Sequence, residues 1–444
     1  MRVLLGIAFL AIVSLTTCKK GESSTNNPAS TNPSTGTIPN ITTNTVGNIT
    51  KNTASSGGVL VSNGGSVVLT QGIVWSTNSS PSINLTTKTV VSLSSSFNSE
   101  MTGLNPNTSY YVRAYATNVN GTAYGTEQIF TTLSTGNVYA VGYESNGTKD
   151  VAKFWKNGVA TALSNGLHDA QANSIYVSNG DVYVAGYNKD EYNYLGKVWK
   201  NTAVSRKSSF IPKSIFVSGN DVYYAADYPV GSSYVSSYYK NSSYTLLSNS
   251  SNLSAADGLF VSGNDVYVAG NVYAGNYRIA KVWKNGVATN LSDGTSSAFG
   301  YSVYVSGQDV YVVGEEWIPG GHIAKIWKNG VATNLTNGSN NSRANSVFVV
   351  GSDVYVAGVE YSGALAFGSK KGVAKLWKNG VATSLTNGTN NANAQSVFVA
   401  GTDVYVAGYE NNGTKDVAKL WKNGVATNMS NGTTNAQLLG MFID

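Results

Sequence analysis

The 444-residue chain holds a single cysteine, Cys18, and only two histidines, His168 and His322. One thiol cannot form an internal disulfide, so the fold must be held by packing. Neither histidine has a partner at metal-ligand spacing, so no metal site and no cofactor is expected. Charged residues make up 12% of the chain, which leaves few groups from which to assemble an acid, a base and a nucleophile. The net charge of +6 includes Arg2, Lys19 and Lys20. Elsewhere Lys and Arg alternate with Asp and Glu, without the basic stripe that phosphate contacts require, so nucleic acid is not an expected partner. The only long apolar run, Val3 to Leu15, is too short for a spanning helix.

What the chain does have is repetition. The tyrosines Tyr139, Tyr183, Tyr223, Tyr267, Tyr311, Tyr355 and Tyr405 follow one another at steps of 44, 40, 44, 44, 44 and 50 residues. The aromatics Trp155, Trp199, Tyr239, Trp283, Trp327, Trp377 and Trp421 keep step with them. Each unit contains four short runs rich in Val, Tyr, Phe and Thr, separated by Gly, Asn and Asp, which is the period-two punctuation of strands and not of helices. Lys-Asn-Gly-Val-Ala-Thr recurs as a hairpin signal, since Asn-Gly accepts the positive φ of a type I′ turn. Four strands per unit of about forty-four residues is the signature of a β-propeller blade. The first unit lacks a first strand, whereas Gly440-Met441-Phe442-Ile443-Asp444 has no unit to follow it. The expectation is therefore a seven-bladed β-propeller over residues 137–444, closed by the C-terminal strand.

Residues 1–18 read as a leader: Arg2, an apolar stretch, then Leu15-Thr16-Thr17-Cys18. This ending resembles the lipobox of bacterial lipoproteins, and the resemblance implies lipidation of Cys18, a membrane contact through that lipid anchor only, and an outer-membrane address at the cell surface or in the periplasm. The bland reading is an unmodified cysteine in an ordinary cleaved leader. Residues 19–37 are rich in Ser, Thr, Asn and Pro and read as a disordered tether. Residues 38–133 carry Leu104-Asn105-Pro106-Asn107-Thr108-Ser109-Tyr110 and a tryptophan strand, Gly72-Ile73-Val74-Trp75-Ser76. This segment resembles a fibronectin type III domain, which implies a β-sandwich in which Tyr110 ties a loop to the core. The fold class expected for the whole chain is thus all-β, a sandwich followed by a propeller.

Family signatures of catalytic propellers are missing. Ser292-Asp293-Gly294-Thr295 lacks the spacing and tryptophan of the sialidase box, and the blades do not end in Trp-Asp. Val-Tyr-Val-x-Gly with a downstream tryptophan resembles kelch blades, with Ala269-Gly270 and Ala357-Gly358 where kelch has Gly-Gly; this implies a fold and no activity. The aspartates Asp181, Asp221, Asp265, Asp309, Asp353 and Asp403 are expected to cap their own turns. The tryptophans are expected to pack between blades, and their flanking lysines to lie on the outer strands with wet ammonium groups.

Length variation falls in the loops joining second to third strands and in the links between units. That face is the expected binding surface. Its candidate residues are Tyr192 and Tyr194, Tyr228 and Tyr234, Tyr273, Tyr277 and Arg278, Glu315, Glu316, Trp317 and His322, and Tyr361 and Phe367. Exposed Tyr and Trp offer stiff contact area with a polar handle, suited to a glycan or a protein. Trp317 leads because it alone among the repeat-region tryptophans lies outside the pattern, although packing between loops is a competing role. The expected function is that of a monomeric, noncatalytic binding or adhesion lipoprotein. One rival is a polysaccharide lyase or hydrolase of the cell envelope, needing Glu315, Glu316, Asp227 and His322 within hydrogen-bond reach of one another. The other is a scaffold subunit of an envelope complex.

Overall fold

The computed structural model describes residues 36–106, 108–132, 136–191, 193–230, 233–249, 253–362 and 371–444. Cys18, the leader and nearly all of the tether lie outside the described residues, as do Tyr192 and Phe367. The chain divides into two compact units, Met1–Thr135 and Gly136–Asp444. Every regular element among the described residues is a β-strand, and no helix there is long and apolar enough to cross a membrane.

In the first unit, Asn40–Thr43, Ala54–Ser62 and Ser96–Met101 form a three-stranded sheet. Ser109–Asn118 pairs with Thr70–Ser76, Gly121–Tyr124 and Gln128–Thr131 to form a four-stranded one. Ile41, Ile73, Trp75, Phe97, Met101, Tyr110 and Phe130 share one core. The Tyr110 hydroxyl accepts the Asn105 N–H at 2.9 Å, which fixes the preceding loop to that core.

The second unit contains seven four-stranded antiparallel sheets, numbered here in chain order. Sheet four is representative: Ser254–Ser262, Asp265–Ala274, Tyr277–Lys284 and Val287–Asn290 pair in sequence. Its last hairpin turns on Asn285 (φ +50°) and Gly286 (φ +87°), and two successive positive φ values are what a type I′ turn requires. In sheet one the fourth strand is Ala436–Ile443, which sets Met441 opposite Ala140 and Phe442 opposite Tyr139.

The seven-bladed β-propeller and the fibronectin type III-like sandwich are corrected to this description. Among the described residues the backbone pairing gives nine separate antiparallel sheets, one of three strands and eight of four, and none closes or curls onto itself. A repeat period specifies strand number, turn chemistry and register, all of which are properties inside one sheet. What joins sheet to sheet here is side-chain contact, made by residues that recur once per unit.

Those contacts are specific. Trp283, fully buried, packs into a cluster with Tyr223 and Leu247 of the preceding sheet, and Trp327 does the same with Tyr267 and Leu291. Losing such a ring from a packed site costs about 3–5 kcal/mol. On the first strands, one aromatic from each sheet touches the next at centroid distances of 4.5–5.3 Å: Tyr176, Phe216, Phe260, Tyr304, Phe348, Phe398 and Phe442, with Phe442 touching Tyr176 in turn. Serine hydroxyls add cross-links: Ser174 accepts the Ile215 N–H at 3.1 Å, Ser214 that of Leu259 at 3.1 Å, and Ser346 that of Val397 at 3.2 Å. Where Gly258 replaces this serine, a Cβ would come within 2.8 Å of the Ser302 Cα, so the close approach of the two strands requires glycine.

The repeated aspartates do not simply cap their own turns. Across sheets two to seven each carboxylate takes the asparagine amide of the last hairpin at 2.6–2.8 Å. Each also meets the adjacent lysine at 2.7–2.8 Å. That lysine lies 5.2–5.5 Å over the repeat tyrosine. The other lysine of the motif pairs with a glutamate in four sheets, Lys153 with Glu144 at 2.6 Å, Lys325 with Glu316, Lys375 with Glu360 at 3.0 Å and Lys419 with Glu410 at 3.3 Å, whereas Lys281 donates to Asn290 Oδ1.

Candidate functional site

Each of the seven first strands carries a β-bulge at the same place, and the extra residue is Asn173, Lys213, Asp257, Tyr301, Asn345, Gln395 or Leu439. A bulge leaves one residue out of the ladder and re-aims its side chain, a device common beside functional sites. All seven residues line one polar cavity of about 160 Å³. The residue types differ at almost every turn of the repeat, although the flanking Ser-Val-Phe-Val pattern is kept. The position after the second-strand glycine, or its alanine counterpart, varies likewise: Tyr143, Tyr187, Asp227, Asn271, Glu315, Val359 and Tyr409.

Charge gathers on one arc of this mouth. Lys213 Nζ lies 2.6 Å from Asp227 Oδ2 and 3.0 Å from Asp257 Oδ1. Asp227 Oδ1 also accepts the Ala256 N–H at 2.8 Å. Burial works against the lysine charge, but the two carboxylates outweigh it and raise the Lys213 pKa. Burial is likewise the largest influence on Asp257 and lifts its pKa above the ordinary carboxyl value, with Asp227 adding to the lift and Lys213 opposing it. One ammonium shared by two carboxylates leaves a local excess of one negative charge, which raises the lysine and adds to the lift that burial gives Asp257. Next along the arc, the Tyr301 hydroxyl donates to Glu315 Oε1 at 3.1 Å, and the Arg343 guanidinium lies 5.4 Å from the Tyr301 ring centre. Burial and the Glu315 charge both push the Tyr301 phenol up, so it stays a donor. On the other arc Tyr143, Tyr187 and Tyr409 are raised by burial and remain neutral hydroxyls.

The candidate residues fall into separate groups. Tyr194 and Tyr234, each about half exposed, line a cleft of about 670 Å³ between sheets two and three, whose lining includes Lys213 and Asp227. Tyr228 stacks on Tyr244 at 4.8 Å. In sheet four Tyr273 and Tyr277 are exposed; the Arg278 guanidinium lies 5.6 Å from the Tyr273 ring centre and donates to Asn271 Oδ1 at 2.7 Å. In sheet five Trp317 stacks on His322 at 4.9 Å and sits 6.1 Å from Phe299. His322 Nδ1 is 3.5 Å from Glu315, and these two line a cavity of about 290 Å³ with Asn341, Arg343 and Tyr361. Glu316 is held apart by Lys325 and Ser296. Of the four, Glu315 and His322 are brought together, whereas Glu316 and Asp227 are held by other partners, Lys325 and Lys213. Among the described residues no group of three His, Cys, Asp or Glu could hold a metal.

The bulge residues escaped the sequence reading. Their signal was present as the one variable position inside an otherwise repeated strand, but variation was sought only in the loops.

No family model matches the chain, and no curated protein matches it. Among solved structures, TolB from Acinetobacter baumannii is similar at 8% identity, covering 74% of this chain and 76% of its own, with a TM-score of 0.37. That likeness is too slight to carry an argument. The resemblance to lipoproteins, fibronectin type III domains and kelch blades is accordingly corrected: the findings describe an all-β chain of repeated four-stranded sheets and support none of those family names, nor the adhesion-lipoprotein reading built on them.

Proposed function

We propose that the Gly136–Asp444 unit is a noncatalytic binding scaffold, a subunit that receives a segment of a protein partner at its bulge-lined mouth. The observation that carries this reading is the set of seven bulge residues of six different types around one cavity, on strands that otherwise repeat. Repeated positions serve packing; a position that differs from copy to copy at a shared cavity serves recognition. The ionisable groups there are engaged with one another, as Lys213 is with Asp227 and Asp257, so they favour contact over proton transfer. Bulged strands also present main-chain groups outside the ladder, which suit an extended polypeptide.

The test is capture of a partner from the native source by the full chain, compared with Gln395→Trp in the mouth and Asp309→Ala at the far turns. Loss of one defined partner with Gln395→Trp alone supports the reading. Equal capture by all three proteins, or turnover of an envelope polysaccharide by the purified chain, overturns it.

A further inference from the structure

We propose that the cleft between sheets two and three is a separate binding site for a neutral hexose-type ring of an oligosaccharide. It shares Lys213 with the bulge cavity, but its aromatic walls, Tyr194, Phe210 and Tyr234, lie outside that lining, so it does not rest on the scaffold reading.

The departures from the repeat converge on this one place. The step from Tyr183 to Tyr223 is 40 residues where its neighbours are 44. The missing four belong to the link between the sheets: residues 209–211 join Ala203–Ser208 to Pro212–Ser218, whereas residues 291–297 join the corresponding strands of sheets four and five. The cleft opens where that link is short, and Phe210 of the shortened link forms part of its wall. Its volume of about 670 Å³ falls inside the roughly 300–1,000 Å³ of small-molecule sites.

The chemistry of the lining selects the ligand class. Tyr194 and Tyr234 are 50% and 54% exposed and line the cleft beside Phe210, offering aromatic surface against which the C–H face of a pyranose can pack. Lys213 and Asp227, 2.6 Å apart, supply a donor and an acceptor for ring hydroxyls. Because two carboxylates share that ammonium, an anionic ligand gains no free cation and meets a local excess of negative charge. A polyhydroxylated neutral ring satisfies both the walls and the charged pair.

The experiment is calorimetric titration and saturation-transfer NMR of the full chain with maltotriose, cellotriose and chitotriose. Saturable binding of at least one sugar is expected. Tyr234→Ala should weaken it about tenfold or more, equal to one step of 1.4 kcal/mol. Tyr234→Phe should retain it, and Tyr277→Ala, a comparably exposed tyrosine in sheet four, should leave it unchanged. No saturable binding of any of the three, or equal binding by Tyr194→Ala, Tyr234→Ala and the unaltered chain, would overturn the assignment.

Discussion

The two ends of the same strands have been put to opposite uses. At the turn end, Asp, Lys, Asn and Tyr recur in sheet after sheet with nearly the same distances. At the bulge end, five residues back along the strand and about 16 Å away, the side chain changes from Asn to Lys to Asp to Tyr. Both ends belong to one backbone with one register, so the difference is chemical. Identical turn modules give each sheet the same local stability, and that frees the opposite end to vary without loss of the fold.

The harshest way to break this comparison is to remove a strand that serves both ends. Deleting residues 436–444 takes Leu438, Met441 and Ile443 out of the core, where they are 0%, 6% and 7% exposed. At roughly 1.5–3 kcal/mol for each buried side chain, the deletion is expected to abolish cooperative folding, seen as loss of the thermal transition. An unchanged midpoint would show that sheet one does not depend on its fourth strand.

A smaller effect sharpens the comparison at the bulge end. Lys213→Met leaves Asp227 and Asp257 facing each other without a cation. It should cost about 2 kcal/mol at neutral pH, less than the roughly 3–5 of a fully enclosed pair because the site is partly wet. The Asp257 pKa is already raised in the folded state, so its contribution to stability is full below the unfolded value and falls as pH rises through the folded one. Denaturant titration should therefore show the loss shrinking in acid. A loss independent of pH would point to packing instead.

The smallest effect belongs to the turn end. Hydrogen bonds from Lys284 and Asn285 hold the Asp265 carboxyl below its usual range. Its contribution is present above the unfolded value, about 3.9, and is lost as pH falls through the lower folded one. Asp265→Ala should lower the thermal midpoint less than Lys213→Met does, and the gap to the unaltered chain should close below that range. Both losses fade in acid, that of Asp265→Ala at lower pH, because the Asp265 pKa is lowered and the Asp257 pKa raised.

Much of this was legible in the sequence, and the illegible part has definite causes. The tyrosine and tryptophan steps gave strand count and register, because turn chemistry and alternation are local. The partner of Asp265 was not legible, since Lys284 and Asn285 stand about twenty residues away and meet it only when the second and third strands pair. Asp257 was hidden for another reason: a bulge breaks the period-two alternation, so its direction could not be inferred from its neighbours. The residues that join the sheets, such as Phe442 and Tyr176, do recur with the repeat, but which of them touch is distant in sequence and is seen only in the fold.

The buried indoles make the unit optically uneven. Trp155, Trp199, Trp283, Trp327, Trp377 and Trp421 are at most 1% exposed, and five of the six N–H groups find no hydrogen-bond partner. In so apolar a setting they emit at short wavelength, whereas Trp317, 47% exposed, emits toward the red. Sheet three has Tyr239 at the equivalent position and is dark. The third sheet, which lines both the charged mouth and the cleft, thus has no indole of its own, and its melting is read only through Trp283, which packs on its Tyr223 and Leu247.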